Sequence, residues 1–412
     1  MKKLFYPDES IENKISFYHL LFFLLALPFD RFYSTIILVS FLVHSLIFLD
    51  KAKIKNIGRT TFILQSVFMV TILSSTYSAF FSEAMNMLTK QLAVFMFPLL
   101  FAVTSLDLKK YRAALLEVFA IGCTCTVIYL YVDAIRTIQY SGLPVKALFS
   151  LAFINHNFSL PIDLHATYFS MFLVISIIYF FQRIKEEIRI GKKIFFIVCS
   201  LILAAGLMQL SSKSALIAIL LIVNIGFPLF LFKKKNALRF LFISVSATVI
   251  LFTFILSVNV FRERFLVDLK NDLNKNPESE KMSWRIKRWE AGMDIFKQSA
   301  FIGKGAGAEI PLLRSLYFER KMYGAYLSSL NVHNQYLSFM INSGIAGLLV
   351  YLATLCWGFW RSIKSSDLLL LSFMILVTVV SLSEDILAVN KGIFFYAFFF
   401  SFLVMSNKRT VT

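Results

Sequence analysis

A polar cluster with one histidine, residues 331–337 (NVHNQYL), lies where a long hydrophilic segment runs into an apolar stretch. Histidine titrates near neutral pH and can take a proton from a hydroxyl nucleophile. His333 is therefore a candidate general base at a membrane–water boundary. A structural interpretation competes with it, because Asn334 is a good helix N-cap and a histidine tolerates an interface. The spacing of the residues does not decide between the two.

Three basic residues are candidates for binding an anion on the same side of the membrane. Arg285 and Arg288 are three residues apart in a predicted amphipathic helix, so they share a helix face. A guanidinium suits a diphosphate because its donors form a fixed fork, although a solvated helix face explains the pair as well. Lys213 is flanked by serines at the exoplasmic end of a predicted span, where charges are costly and usually functional. Snorkelling of its long side chain is the alternative.

Other polar residues could complete such a site. His165 opens another exoplasmic span and could line the same cavity, or it could be an interfacial histidine beside Tyr168. Glu384 and Asp385 form an acidic cluster in a short exoplasmic loop. They could orient a base or bind a sugar hydroxyl, or they could be ordinary acidic loop residues. No spacing in the chain suggests a metal site.

The glycine-rich segment 303–307 (GKGAG) resembles a nucleotide-binding loop. It follows a predicted helix rather than a strand, and no βαβ unit surrounds it, so we reject nucleotide binding. A turn that folds the loop back onto the membrane is the favoured interpretation. The sequence predicts no cofactor.

The composition indicates a polytopic membrane protein. Hydrophobic residues make up 58% of the 412 residues and charged residues only 16%, and the mean hydropathy is +0.73. A soluble domain has far less apolar content. The net charge of +18 does not indicate nucleic-acid binding, because the basic residues fall in short loops, as the positive-inside rule predicts. Four cysteines lie in apolar segments and are expected to be buried, inert thiols: Cys123, Cys125, Cys199 and Cys356.

Hydropathy and length predict an all-α protein with about twelve transmembrane helices. Basic and basic-poor loops alternate, which places both termini in the cytoplasm and a large helical loop outside it, between spans nine and ten. The chain divides into residues 1–260 (about nine spans), 261–334 (the loop with the candidate residues) and 335–412 (about three spans). The predicted spans are 15–29, 32–49, 60–81, 88–106, 113–133, 166–181, 194–210, 212–232, 238–260, 335–360, 368–383 and 391–405.

Five motifs occur in order: Arg285-x-x-x-Trp289, an amphipathic run to residue 296, FIGKG at 301–305, HNQYL at 333–337 and SGIAG at 343–347. This arrangement resembles the O-antigen ligase family, which also includes O-antigen polymerases and some bacterial protein O-oligosaccharyltransferases. The resemblance is strongest over residues 211–351. It implies about twelve helices with a large periplasmic loop, in a multi-pass protein of the bacterial inner membrane.

The resemblance also implies an activity. Family members transfer a glycan from undecaprenyl diphosphate to an acceptor, without metal or nucleotide; in ligases, which act in lipopolysaccharide biosynthesis, the acceptor is lipid A–core. By position, His333 falls on the catalytic histidine and Arg285 on the loop arginine, while Lys213 stands where the family usually has arginine. Ala300 stands where proline is frequent. The expected partners are the lipid-linked donor, the glycan or protein acceptor and membrane lipids, but no nucleic acid. Residues expected to bind substrate are Lys213, Arg288, Asn334, Tyr336 and His165.

Three alternatives stay open. A polysaccharide polymerase and a protein O-oligosaccharyltransferase would use the same donor chemistry and differ only in the acceptor, which the sequence does not identify. A transporter of lipid-linked sugars is a different class, since twelve spans also suit transporters. Ionisable residues near the middle of the membrane would favour transport.

Overall fold

The computed structural model describes residues 9–29, 31–231, 234–257, 259–267 and 285–407. Within these ranges the regular structure is entirely helical, which confirms the predicted all-α class. Residues 268–284 of the predicted loop, and the basic residues Lys233, Lys408 and Arg409, lie outside the described ranges. The longer helices are α1 Ile11–Ala26, α2 Arg31–Ile47, α3 Arg59–Ser75, α4 Phe81–Val103, α5 Leu108–Tyr140, α6 Ala166–Glu186, α7 Ile190–Leu210, α8 Lys213–Leu221, α9 Lys234–Leu256, α10 Arg285–Lys297, α11 Glu309–Glu319, α12 Tyr323–Leu327, α13 Gln335–Ser365, α14 Leu368–Val380 and α15 Asn390–Met405.

Short helical segments complete the fold. Helix α8 continues through a wider π-helical turn, Ile222–Gly226, into Phe227–Leu231. The connection between α5 and α6 is a chain of short turns rather than an open loop. The short segments are Lys51–Ile54, Val145–Phe149, Leu151–Phe153, His156–Ser159, Leu160–Ile162, Asn259–Arg262 and Glu263–Val267.

Six helices in the described part of the chain are long and apolar enough to cross a membrane: α4, α5, α6, α7, α8 with its continuation, and α13. Shorter apolar helices lie in α2, α9, α14 and α15. The polytopic character is therefore confirmed, and most of each predicted span lies in one long helix, the eighth in α8 with its continuation. Twelve crossings stay a prediction for the shorter helices.

Three predicted boundaries are wrong. The fourth span was expected to begin at Leu88, but α4 begins at Phe81. The fifth span was expected to end at Asp133, but α5 continues to Tyr140 because residues such as Arg136 and Gln139 are good helix formers although they are polar. The third was expected to reach Phe81, but α3 ends at Ser75 and Phe81 begins α4. Hydropathy reports where a segment is apolar, and helices are free to extend past that limit or to end before it.

Helix α15 is the buried axis of the bundle. All of its residues from 391 to 405 are buried. The ring centroid of Phe398 lies 5.1 Å from that of Phe23 of α1 in a stacked pair and 5.3 Å from that of Phe97 of α4 in a T-shaped pair. The ring centroids of Phe395 and Phe172 of α6 are 5.3 Å apart, and these rings are stacked. Aromatic pairs of this kind add about 0.5–1.5 kcal/mol each beyond the area they bury. The loop that joins α14 to α15 therefore starts and ends on well-packed helices.

Two histidines join neighbouring helices, and two of the four cysteines are not buried as expected. His44 Nε2 lies 3.0 Å from Ser16 Oγ and His19 Nε2 lies 2.9 Å from Ser40 Oγ, so both rings join α1 to α2. Among the free cysteines, Cys123 and Cys199 are buried, whereas Cys125 and Cys356 are exposed on the outside of the bundle. Apolar helices have an inner and an outer face of similar composition, so the sequence does not show which face a cysteine occupies.

The described part of the large loop has a small core of its own. Helices α10, α11 and α12 bury Ala291, Ile295, Leu313 and Tyr317 against the start of α13. Helix α10 packs directly on α13. Helix α10 contains the predicted amphipathic run that follows Arg285, and α11 and α12 come after it. The residues before His333 are therefore carried by a packed helical unit.

A glycine crossing attaches this unit to the bundle. The turn 303–307 lies against α13, where Lys304 N donates to Ile341 O over 2.8 Å. Gly344 has a left-handed φ of 64° and interrupts α13, and a Cβ there would meet Phe301 O at 2.2 Å. Only glycine allows this backbone conformation and this approach together. The glycine-rich segment is thus the predicted turn that folds the loop onto membrane helices.

Candidate active site

His333 lies in a tight turn between α12 and α13. Its backbone is left-handed, with φ 47°, and its N–H donates to Asn331 Oδ1 over 3.1 Å. Asn334 caps α13, since its Oδ1 accepts from the N–H groups of Tyr336 at 3.1 Å and Leu337 at 3.2 Å. The helix-cap interpretation of Asn334 is confirmed, while its predicted contact with substrate stays a prediction. Both asparagines fix the backbone from which the His333 ring projects.

The His333 ring pairs with Glu384 of the α14–α15 loop. His333 Nδ1 lies 3.2 Å from Glu384 Oε2, and the other carboxylate oxygen accepts from Thr167 Oγ1 at 3.3 Å. The carboxylate side chain is 9% exposed and the imidazole 28%. When Nδ1 donates to a carboxylate, the neutral ring carries no proton on Nε2, which can then accept one. This is how a histidine is held in the tautomer that a general base needs.

The charge on Glu384 is set by its neighbours. Burial by itself would raise the pKa of this carboxyl, but the hydrogen bond with His333 and, more weakly, the positive charge of Arg285 lower it overall. Glu384 is therefore a carboxylate at neutral pH. Arg285, at the start of α10, is half-buried and lies close enough to act on both Glu384 and His165. The structure thus brings Arg285, His333 and His165 around one carboxylate.

His165 has a different character from the one its residue type suggests. Burial lowers its pKa to about 4, with Glu384 opposing and His156, His333 and Arg285 adding to the effect. Its Nδ1 accepts from Thr167 N at 3.3 Å and caps α6. His165 is therefore neutral at physiological pH, with its remaining ring nitrogen as the N–H donor. It belongs to the predicted cluster as a hydrogen-bond donor rather than as a cation.

Arg288 is more deeply buried than Arg285. It is 4% exposed, and its guanidinium donates to Asn331 O over 3.2 Å. Trp289 Nε1 donates to Val332 O over 2.9 Å. Both side chains of α10 hold the backbone that leads into His333. Arg288 therefore positions the turn, and direct contact with substrate stays a prediction for it.

Tyr336 and Lys213 lie on helices that border the cluster. The Tyr336 hydroxyl donates to Thr378 O of α14 over 2.9 Å and joins α13 to α14. Lys213 begins α8 directly after Ser211, which is left-handed with φ 48°, and the buried Ser212. Helix α8 packs on α6, which His165 begins, and on α14, which leads to Glu384. Gln209 O, just before Lys213 in the chain, accepts from Asn155 N. The ring centroid of the adjacent His156 lies 4.0 Å from that of His165, so Lys213 is at the same end of the bundle as the His333 cluster.

Sequence analysis missed Glu309. This residue is 5% exposed at the start of α11 and accepts from Val332 N at 3.0 Å, from Ser338 Oγ and from Asn342 Nδ2 at 3.4 Å. Burial raises its pKa. A glutamate in the first turn of a helix is ordinarily a solvated residue near the positive end of the helix dipole, so nothing in the sequence marks it. Its contacts show that it supports the segment next to His333.

A histidine, its carboxylate and an arginine converge from three distant parts of the chain at one end of a membrane bundle. Residues 198–352 match the O-antigen ligase family. The predicted resemblance is thereby confirmed, and no curated protein matches the chain. The O-antigen ligase match contains Lys213, Arg285 and His333, while the structure adds His165 and Glu384 from outside the matched range. The family match supports the function of a membrane glycosyltransferase of the O-antigen ligase or polymerase type.

Proposed function

We propose that the protein transfers a glycan from undecaprenyl diphosphate to lipid A–core. The reaction takes place at the periplasmic face of the bacterial inner membrane, with both chain termini in the cytoplasm. The observation that carries the proposal is the His333–Glu384 pair at 3.2 Å with Arg285 beside it. A base held by a carboxylate and next to a fixed cation suits the attack of a hydroxyl on a carbon that bears a diphosphate leaving group.

In the proposed step, His333 Nε2 takes the proton of an acceptor hydroxyl as its oxygen attacks the anomeric carbon. The bond between that carbon and the diphosphate oxygen breaks, and undecaprenyl diphosphate leaves with the electron pair. Glu384 holds the ring in place and stabilises the imidazolium that forms. A positioned general base contributes a factor of about 10²–10⁴ in rate.

The growing negative charge on the diphosphate is stabilised by Arg285 and Lys213. One preorganised donor of this kind contributes a factor of about 10²–10³. His165 supplies a neutral N–H beside Arg285, because its pKa of about 4 keeps it uncharged. Arg288 holds the backbone at Asn331 and so keeps His333 in register with these groups. Lysine at 213 keeps the charge but offers no bidentate fork, so its contribution is smaller than that of Arg285.

The position of the cluster favours transfer over transport. His165 caps the start of α6, Arg285 begins α10, and Glu384 follows the end of α14. These residues meet at helix ends, whereas a transporter places its ionisable site near the middle of the membrane. A polymerase would use the same donor chemistry with another acceptor, so the acceptor has to be tested directly.

The test is complementation in two hosts, one lacking its O-antigen ligase and one lacking its O-antigen polymerase. Wild-type protein is expected to restore capped core on a lipopolysaccharide gel of the first host, and His333→Ala is expected to fail at equal expression. His19→Gln is the matched control, because His19 lies between α1 and α2 and is not part of the cluster.

The outcomes separate the alternatives. A restored ladder in the second host would make the protein a polymerase and would contradict the acceptor proposed here. Capping that survives His333→Ala would remove His333 from the mechanism. If the well-expressed protein restores no lipopolysaccharide product in either host, protein glycosylation or transport is favoured over ligation.

A further inference from the structure

A polar cavity lies next to the His333 cluster. Its volume is about 320 Å³, within the range of small-ligand pockets. Helix α4, helix α11 and the α14–α15 loop form its walls, with the start of α13 behind them. The polar side chains that line it include Lys90, Glu309, Arg314, Asn331, Asn342 and Asp385.

Asp385 is the unusual group in this cavity. Asp385 is 4% exposed, and its Oδ2 accepts a hydrogen bond from Asn331 Nδ2 at 3.4 Å. No group in the described part of the chain donates a hydrogen bond to its other oxygen, Oδ1, which is also buried. A buried polar atom left without a partner is destabilising, which is why such atoms are rare in folded proteins. Oδ1 of Asp385 therefore lacks a well-placed donor, although the side chains of Ser338 and Gln335 lie near enough to this carboxyl to oppose the rise of its pKa.

The neighbouring Glu309 shows the opposite situation. Its carboxyl oxygens accept from Val332 N, Ser338 Oγ and Asn342 Nδ2. The charge of Glu309 and, above all, burial raise the pKa of Asp385 well above its usual range. The neutral form of Asp385 is thus favoured, and in that form the group can donate one hydrogen bond and accept others. A hydroxyl, which both donates and accepts, is the matching partner.

The cavity shares a wall with the proposed reaction site. Asn331 accepts from His333 N at 3.1 Å and donates to Asp385, so one side chain contacts both sites. Asp385 also follows Glu384 directly in the chain. Glu384 makes its contacts with His333 and Thr167, whereas the Asp385 side chain lines the cavity between α4 and α11.

We infer that this cavity binds a pyranose unit of the acceptor glycan, with Asp385 hydrogen-bonded to a ring hydroxyl. The inference rests on the proposed function and names the part of the acceptor that the enzyme recognises. The two buried carboxyls share this cavity with Lys90 and Arg314, so acidic and basic groups offset one another there, whereas the diphosphate belongs beside Arg285. The side chains of Ile310 and Pro311 offer an apolar wall for the C–H face of a sugar ring.

The experiment measures acceptor binding without turnover. Full-length His333→Ala protein in detergent is titrated with the deacylated core oligosaccharide of the source bacterium, and the thermal midpoint is followed. We expect the oligosaccharide to raise the midpoint, and we expect Asp385→Ala in the same background to weaken the apparent affinity about tenfold, the effect of one lost hydrogen bond to a carboxyl group. Asp294→Ala is the matched control, because Asp294 is a half-exposed acid paired with Arg320 outside the cavity.

A second variant distinguishes a loss of binding from a folding defect caused by Asp385→Ala. Ile310 is 42% exposed at the cavity, so Ile310→Trp fills the space without touching the buried carboxyls. It should also weaken binding, and in an active background both variants should raise the acceptor KM while the donor KM stays unchanged.

Equal affinity in Asp385→Ala, Ile310→Trp and the control would overturn the inference, as would the absence of any shift with the oligosaccharide. A rise in the donor KM instead would also overturn it. A failure of the proposed function would give a different result. Glycan transfer would then survive His333→Ala, irrespective of the affinities measured for the cavity variants.

Discussion

Two adjacent carboxyl residues, Glu384 and Asp385, lie in opposite environments. Glu384 is hydrogen-bonded to His333 and Thr167, and the pair with His333 keeps its pKa low. Asp385 lies against another buried acid, and its pKa is raised well above its usual range. One loop thus carries a carboxylate and a neutral acid side by side. The comparison shows that neighbours, rather than residue type, assign the role of an acidic group.

The two sides of this loop are also built differently. The Glu384 side combines a cation, Arg285, with two histidines, so it suits a negatively charged leaving group. The Asp385 side combines buried acids and amides with Lys90 and Arg314, so charges of both signs offset one another and it suits neutral hydroxyls. We therefore expect substitutions on the first side to change catalysis and those on the second to change recognition and stability.

Glu384→Gln should have the largest effect. The amide can no longer stabilise an imidazolium, and it can present an N–H to His333 Nδ1 and so select the wrong tautomer. In a related triad such a change lowers kcat about 10⁴-fold, and we expect a loss of about 10²–10⁴ in transfer rate. The measurement is single-turnover transfer at several pH values, with Glu384→Asp as the conservative variant. Wild-type rates in Glu384→Gln would end the distinction drawn between the two carboxyls.

Arg285→Ala should lower transfer by a factor of about 10²–10³, since it removes one fixed cation from the leaving group. Arg285→Lys should recover part of this loss, because the charge returns without the fork. Lys297→Ala is the control on the same helix, where Lys297 is an exposed residue paired with Asp294. Transfer assays with purified protein in detergent measure all three. An unchanged rate in Arg285→Ala would exclude Arg285 from diphosphate stabilisation.

Asp385→Asn should change the pH dependence of stability. Because the folded pKa of Asp385 is raised above its unfolded value, the contribution of this group to stability is fully present below about pH 4 and is lost as pH rises through the folded pKa. Asparagine does not ionise, so the variant avoids this loss. The thermal midpoint of Asp385→Asn relative to wild type should therefore increase with pH. A difference that stays constant with pH would mean that Asp385 does not titrate in this way.

Asn334→Ala should have the smallest effect, a loss of about 1 kcal/mol of stability, because it removes the cap of α13. Asn334→Ser and Asn334→Asp should restore most of it. Chemical denaturation of the three variants measures the difference. If serine restores stability but not transfer, Asn334 also contacts substrate, as the sequence predicted.

The helices could be predicted largely from hydropathy, because the bilayer requires long apolar segments whatever their partners. The packing could not. Helix α15 and the outer helices are all apolar, yet α15 is buried on every side while Cys356 of α13 is exposed. Without a hydrophobic driving force between helices, apolar character does not distinguish a core face from a lipid face.

The site was predictable where residue type and sequence context were both unusual. His333, Arg285 and His165 are polar residues at the ends of apolar or amphipathic segments, and the structure places them together. Glu309 and the contrast between Glu384 and Asp385 were not predictable, because each depends on contacts across distant parts of the chain. Arg288 shows the same limit, since helical periodicity paired it with Arg285 but packing against Asn331 gave it another partner.

The crossing of Gly303 and Gly344 sets a rule for exchanging parts between related enzymes. A Cβ at Gly303 would meet Gly344 N at 2.5 Å, so each glycine is needed because of the other. A chimera that takes the large loop from a relative must keep glycine at both positions, one in the donor segment and one in the recipient helix. A recipient with any other residue at 344 would force the grafted loop away from α13 and would carry His333 and Glu384 out of register.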